Sequence, residues 1–164
     1  MAVNFTALEI LEIAEQIEQN GAKFYRDAAV VAGNRSIRQF FLTLAGMEDK
    51  HKKIFADMAK NIQDAAGEAK VFDPDNETVY YLKAIAKSAG WEGKASLYAE
   101  FAGSETLEQI LKRAIEAEKA SINYYVGLKD FVASQEDKNK VNAIIKEEMG
   151  HVVTLQKHLE ELNN

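Results

Sequence analysis

Apolar residues recur in alternating steps of three and four along four long stretches of the chain, and glutamate or histidine fills seven positions within those stripes. The first stripe takes in positions 11, 14, 18, 21, 25 and 28, and a matching one takes in 111, 114, 118, 121, 125 and 128. Two further stripes correspond in the same way: Phe41, Leu44, Glu48, His51, Phe55, Met58 and Val141, Ile144, Glu148, His151, Leu155, His158. Such steps keep side chains on one face of a helix, as the seam of a helical bundle requires. Glu18, Glu48 and His51 therefore recur, one hundred residues on, as Glu118, Glu148 and His151.

Capping signals set the expected ends. Thr6-x-x-Glu9 reads as a capping box, and the rhythm behind it runs to about Val31, with Gly33 as a stop. Ser36-x-x-Gln39 is expected to open a second helix that runs to Ala66 ahead of Gly67. A third is expected from near Ser104 to about Ala133, and a fourth from about Ser134 to Leu162. Short joints make each pair an antiparallel hairpin, 6–66 and 104–162. The crossover between them, 67–103, holds Asp73-Pro74-Asp75-Asn76, an expected helix from Thr78 to Ser88, and the mixed stretch Trp91 to Phe101. It is long enough to travel the length of a bundle, so the third helix starts at the same end as the second. The expectation is an all-α, single-domain chain over 1–164, a ferritin-like four-helix bundle of two hairpins related by an approximate two-fold axis.

Composition narrows the function classes. One proline and nine glycines in 164 residues suit long helices. The absence of cysteine excludes disulfides, zinc ribbons, iron–sulfur clusters and thiol nucleophiles, so electrons must come from another molecule. A net charge of −6 with no basic stripe argues against nucleic acid and anionic membranes, and Lys50 to Lys53 reads as a solvated face. No run approaches the roughly 18 apolar residues of a membrane span and no secretion signal opens the chain, so a cytoplasmic location is expected. Without such a signal the glycosylation sequons at Asn4, Asn34 and Asn76 are better explained as helix starts. Asp73-x-Asp75-x-Glu77 begins like a calcium loop, but Thr78 and Ala84 stand where that loop needs glycine and glutamate.

The chemistry lies in the repeated polar set. Glu48-x-x-His51 and Glu148-x-x-His151 each place a carboxylate and an imidazole one turn apart on one face, where they can grip one ion. Glu18 and Glu118 precede their hairpin turns by about 15 residues and the Glu-x-x-His pairs follow theirs by about as many, so at about 1.5 Å per residue all six groups meet at one level. Four carboxylates with two neutral imidazoles carry about −4, which two divalent cations balance. Left unpaired, such burial would cost several kcal/mol per charge, and no seam lysine or arginine is available to offset it. This donor set suits two ions of iron, of manganese or of both far better than copper. Tyr25 and Tyr125 follow Glu18 and Glu118 by seven residues on the same faces, where they suit either core packing or orientation of a ligating carboxylate. His158, about 10 Å along the helix from His151, is a bundle-end residue. Trp91, Tyr80 and Tyr81 are expected to anchor the crossover.

At these residues the chain resembles the rubrerythrin branch of the ferritin-like diiron-carboxylate proteins. The shared pattern is a first-helix glutamate seven residues before a tyrosine, followed by Glu-x-x-His: here Glu18, Tyr25, Glu48 and His51, repeated as Glu118, Tyr125, Glu148 and His151. The resemblance implies a non-haem diiron oxidoreductase with these six ligands. The rubredoxin domain usual in rubrerythrins is lacking, which implies an external electron donor such as a rubredoxin-type protein. Ser121 stands where rubrerythrins typically carry a further glutamate, which removes the basis for the iron movement linked to that residue. A pair of ions delivers two electrons at once, so reduction of hydrogen peroxide to water is the leading expectation. Ferroxidation with dioxygen, and a non-catalytic metal-binding or scaffold bundle, are the alternatives. A homodimer is expected, as ferritin-like bundles commonly associate.

Overall fold

Thr6 opens the first helix, α1 (Ala7–Val31): its hydroxyl accepts from the Glu9 amide and the Glu9 carboxylate accepts from the Thr6 amide, the capping box its spacing predicts. The computed structural model describes residues 6–64, 75–88 and 101–164. Helix α2 (Arg35–Asp64) starts at Asn34, not at Ser36, because the Asn34 side chain accepts from the Ile37 amide at 2.9 Å. Asparagine caps as well as serine, and the earlier start adds helical hydrogen bonds. The expected end at Ala66, with Gly67, Pro74 and Trp91, lies outside the described residues.

Helix α3 (Glu77–Ser88) follows Asn76, whose positive φ of 52° asparagine tolerates better than most residues. Helix α4 (Leu107–Leu128) begins later than Ser104. The Glu105 carboxylate takes the Ala102 and Gly103 amides, and Gly103 is left-handed at φ 85°, so the chain turns helical only after Thr106. Thr106 then forms a capping box with Gln109. The helix also ends short of Ala133, tightening into a 3-10 turn at Lys129–Phe131. Helix α5 (Gln135–Leu162) is capped by Ser134, whose hydroxyl accepts from the Asp137 amide at 3.0 Å. Thr6, Asn34 and Asn76 of the three sequons thus all stand at helix starts.

Helix α1 packs along α2 and α4 along α5, and the two hairpins meet through α1 against α4 and α2 against α5. No strand occurs among the described residues. The apolar core forms two blocks. One gathers Ile10, Leu11, Phe55, Met58, Tyr125, Leu128 and Val141; the other gathers Phe24, Phe41, Leu44, Leu111, Ala114 and Leu155. The first joins the start of α1 to the end of α2, and the second joins the end of α1 to the start of α2, so the blocks plug opposite ends of the bundle. Every seam position named from the sequence is buried except His158, whose half-exposed ring lies 4.2 Å from that of Phe40.

Helix α3 is seated on α4. Val79, Leu82 and Ala86 enter the first block, and the Tyr81 hydroxyl donates to the Asn123 carbonyl at 2.9 Å. Tyr80, expected to share the anchoring, is instead 66% exposed, with the Lys83 ammonium over its ring. The seat needs Gly127, since a Cβ there would lie 2.7 Å from Tyr81 Cδ1 and 2.8 Å from Leu82 Cδ2. Gly127→Ala should lower the thermal midpoint: overpacking costs about 1–3 kcal/mol, more than the ~1 kcal/mol gained in helix propensity. Differential scanning calorimetry should show a loss of a few degrees, and a raised midpoint would contradict this account of the seat.

Candidate metal centre

Four helices deliver the six repeated residues to one layer between the apolar blocks: Glu18 from α1, Glu48 and His51 from α2, Glu118 from α4, Glu148 and His151 from α5. All six are 1–3% exposed. Their nearest atoms form two overlapping groups, Glu18, Glu48, His51, Glu148 and Glu48, Glu118, Glu148, His151, with the ligand atoms of each group within 4.8 Å of one another. Glu48 and Glu148 belong to both groups. Both come from the Glu-x-x-His motifs.

Within each group the histidine turns Nδ1 inward. His51 Nδ1 lies 2.8 Å from Glu148 Oε1, 3.5 Å from Glu18 Oε2 and 3.8 Å from Glu48 Oε2. His151 Nδ1 lies 2.8 Å from Glu148 Oε2, 3.2 Å from Glu48 Oε1 and 3.4 Å from Glu118 Oε1. The rings stand 6.0 Å apart and tilt by only 22°. Close as these contacts are, they lack hydrogen-bond angles. Both Nδ1 atoms, both oxygens of Glu148, Glu18 Oε2 and Glu48 Oε1 have no hydrogen-bond partner. Buried polar atoms rarely stay unpaired. Lone pairs that converge on a shared point without pairing with one another are what a ligand cage presents.

The tyrosines act across the bundle. Tyr25 donates to Glu118 Oε1, and Tyr125 donates to Glu18 Oε1, so each phenol holds the glutamate of the opposite hairpin rather than the one preceding it in its own helix. Both rings are fully buried, Tyr25 stacked on Phe41 and Tyr125 against Phe55. Core packing and carboxylate orientation are thus combined in one side chain. Ser121 is buried beside the layer, but its hydroxyl donates to the Ala117 carbonyl at 3.0 Å and so turns back into its own helix.

Sequence reasoning passed over Glu147. This half-exposed residue brings Oε2 to 2.9 Å from His51 Nε2. It lies one position before the seam residue Glu148, and only the pairing of α5 with α2 shows which ring it meets. Among the described residues no lysine or arginine pairs with any of the six, as the bare seams imply.

The chain matches the family described as Rubrerythrin over residues 9–159. The chain belongs to the rubrerythrin family. It is also similar to a crystal structure from Thermotoga maritima, named as that of a ferritin-like diiron-carboxylate protein. The two share 27% sequence identity, a TM-score of 0.67 and 96% coverage of each chain. No curated protein matches the chain. The ferritin-like bundle of two hairpins is therefore shown, and the buried Glu/His cluster of this rubrerythrin-family chain fits iron binding.

Electrostatics explain why such a cluster needs counter-ions. Burial, together with the charges of Glu148, Glu118 and Glu18, holds the Glu48 carboxyl well above the usual carboxylate range. Burial and the Glu148 charge push Glu118 up to about 8, against the opposing pull of His151. For Glu148, burial and the Glu18 charge push upward, but the close approach of His151, His51 and Glu118 outweighs them and brings it below its usual value. Burial disfavours the imidazolium at both histidines, yet the surrounding carboxylates reverse that. His51 is raised by Glu148, Glu18 and Glu48, and His151 is pushed to about 12 by Glu118, Glu148 and Glu48.

In a rubrerythrin-family protein stripped of metal, protons are the counter-ions. Folded Glu118 keeps its proton to about 8 where the unfolded chain releases it near 4.5, and His151 keeps its proton to about 12 against 6.5. The folded state therefore binds more protons than the unfolded state between about pH 5 and 8, so the stability of stripped protein falls as pH rises through that window. Metal replaces those protons, so loading releases them and strengthens with pH. Thermal midpoints measured across this range should fall for stripped protein and rise for metal-loaded protein. A stripped protein that gains stability towards pH 8 would contradict this.

Proposed function

We propose that the chain is a non-haem diiron oxidoreductase that reduces hydrogen peroxide to water. The observation that supports this reading is the pair of four-residue groups sharing Glu48 and Glu148 in one buried layer, which would hold two ions side by side. In this assignment Glu18, Glu48, His51 and Glu148 hold one ion and Glu48, Glu118, Glu148 and His151 the other. Four carboxylates and two imidazoles suit iron, with manganese compatible. Two ferrous ions held there would supply the two electrons that, with two protons taken up from solvent, convert hydrogen peroxide to two waters.

The chain's own residues do the rest. Tyr25 and Tyr125 fix Glu118 and Glu18 through their phenolic protons; Tyr125 takes Glu18 Oε1 and leaves Oε2 facing His51 Nδ1, whereas the Glu118 oxygen that accepts from Tyr25 is also the one that faces His151 Nδ1. The apolar blocks above and below the layer limit water, which strengthens every electrostatic contact inside. The 164 residues contain no cysteine, so the electrons that return the ions to the ferrous state arrive from a separate centre, a rubredoxin-type donor in this proposal.

Two measurements test the reading. Stopped-flow mixing of anaerobically iron-loaded protein with hydrogen peroxide and, separately, with dioxygen should show ferric absorbance rising faster with peroxide. Faster oxidation by dioxygen would instead make the protein a ferroxidase, and no response to either oxidant would leave a metal-binding bundle without turnover. Glu48→Ala should abolish stoichiometric loading, because Glu48 serves both groups; two irons per chain retained in that variant would refute the ligand assignment.

A further inference from the structure

The six-residue layer repeats the same ligands in both halves, but the outer faces of its two histidines are not alike. Glu18 mirrors Glu118, Tyr25 mirrors Tyr125, and both histidines present Nδ1 to the same two shared glutamates. The outer nitrogens differ. His51 Nε2 lies 2.9 Å from the Glu147 carboxylate, whereas His151 Nε2 is buried with no hydrogen-bond partner. The one-hundred-residue repeat accounts for this, since the position equivalent to Glu147 is Met47, which has no acceptor oxygen to offer.

We propose that Glu147 is a positioning residue that makes the two ion positions unequal, so that the position containing His51 is the tighter and fills first. The inference rests on the two-metal reading of the site. A carboxylate can only accept, so a contact at 2.9 Å requires the His51 proton on Nε2 and leaves the Nδ1 lone pair for the ion. The same contact fixes the ring's rotation and raises the basicity of the inward nitrogen. Glu147 is half exposed, which keeps its charge hydrated and available as an acceptor. His151 gains neither the fixed tautomer nor the added basicity from such a contact. Removal of an outer partner of this kind typically costs about 10–100-fold in metal affinity.

Anaerobic titration of metal-free full-length protein with cobalt(II), followed by calorimetry and visible absorption, tests this. The native chain should bind two equivalents in two resolved steps. Glu147→Met, which copies the residue at 47, should weaken the tighter step by about 10–100-fold and leave the other in place, with an unchanged far-UV circular dichroism spectrum. Glu147→Gln keeps an acceptor oxygen but not the charge and should lose less. The reciprocal Met47→Glu should tighten the weaker step. Two equivalents bound with both steps unmoved in Glu147→Met would overturn the inference and leave the two-metal reading standing, as would equal weakening of both steps. A native chain that binds no cobalt would remove the two-metal reading and this inference with it.

Discussion

Four carboxylates buried at one level of an apolar bundle repel one another, and the rest of the structure is arranged around compensating that repulsion. Glu18, Glu48, Glu118 and Glu148 are almost fully removed from water, and no lysine or arginine among the described residues reaches them. Isolated charges in such surroundings cost several kcal/mol each. The layer therefore calls for protons or cations, and its unpaired lone pairs converge on two points suited to cations.

The scaffold makes this placement repeatable. Capping at Thr6, Thr106 and Ser134 sets where the seams begin, and the two hairpins then bring Glu18 and Glu118 level with the Glu-x-x-His pairs. The crossed tyrosines join the hairpins at the layer itself: a change in how α1 meets α4 would loosen both phenol–carboxylate contacts at once. A third link, from the Tyr124 hydroxyl to the Ile10 carbonyl at 3.0 Å, ties α4 to the start of α1 on the first apolar block. The side chains that orient the buried carboxylates thus also join the hairpins.

Much of this was legible in the sequence because it is periodic. The three–four rhythm and the one-hundred-residue offset placed all six polar residues on buried seams, and the distance from each turn placed them at one height. Features that depend on competition between neighbours were not legible. Asn34 and Ser36 both read as helix starts and only the structure shows that Asn34 caps α2, while Glu105 delayed the start of α4 by holding the Ala102 and Gly103 amides. Contacts between hairpins were hidden too, since no spacing within one helix reveals that Tyr25 reaches Glu118 or that Glu147 meets His51.

The central claim is that these six residues hold two ions. Its most direct test is anomalous diffraction at the iron edge from crystals grown anaerobically with ferrous iron. The account predicts two peaks about 3.5–4 Å apart, one beside His51 and one beside His151, with Glu48 and Glu148 reaching both. A single peak, or iron bound only outside this layer, would contradict it.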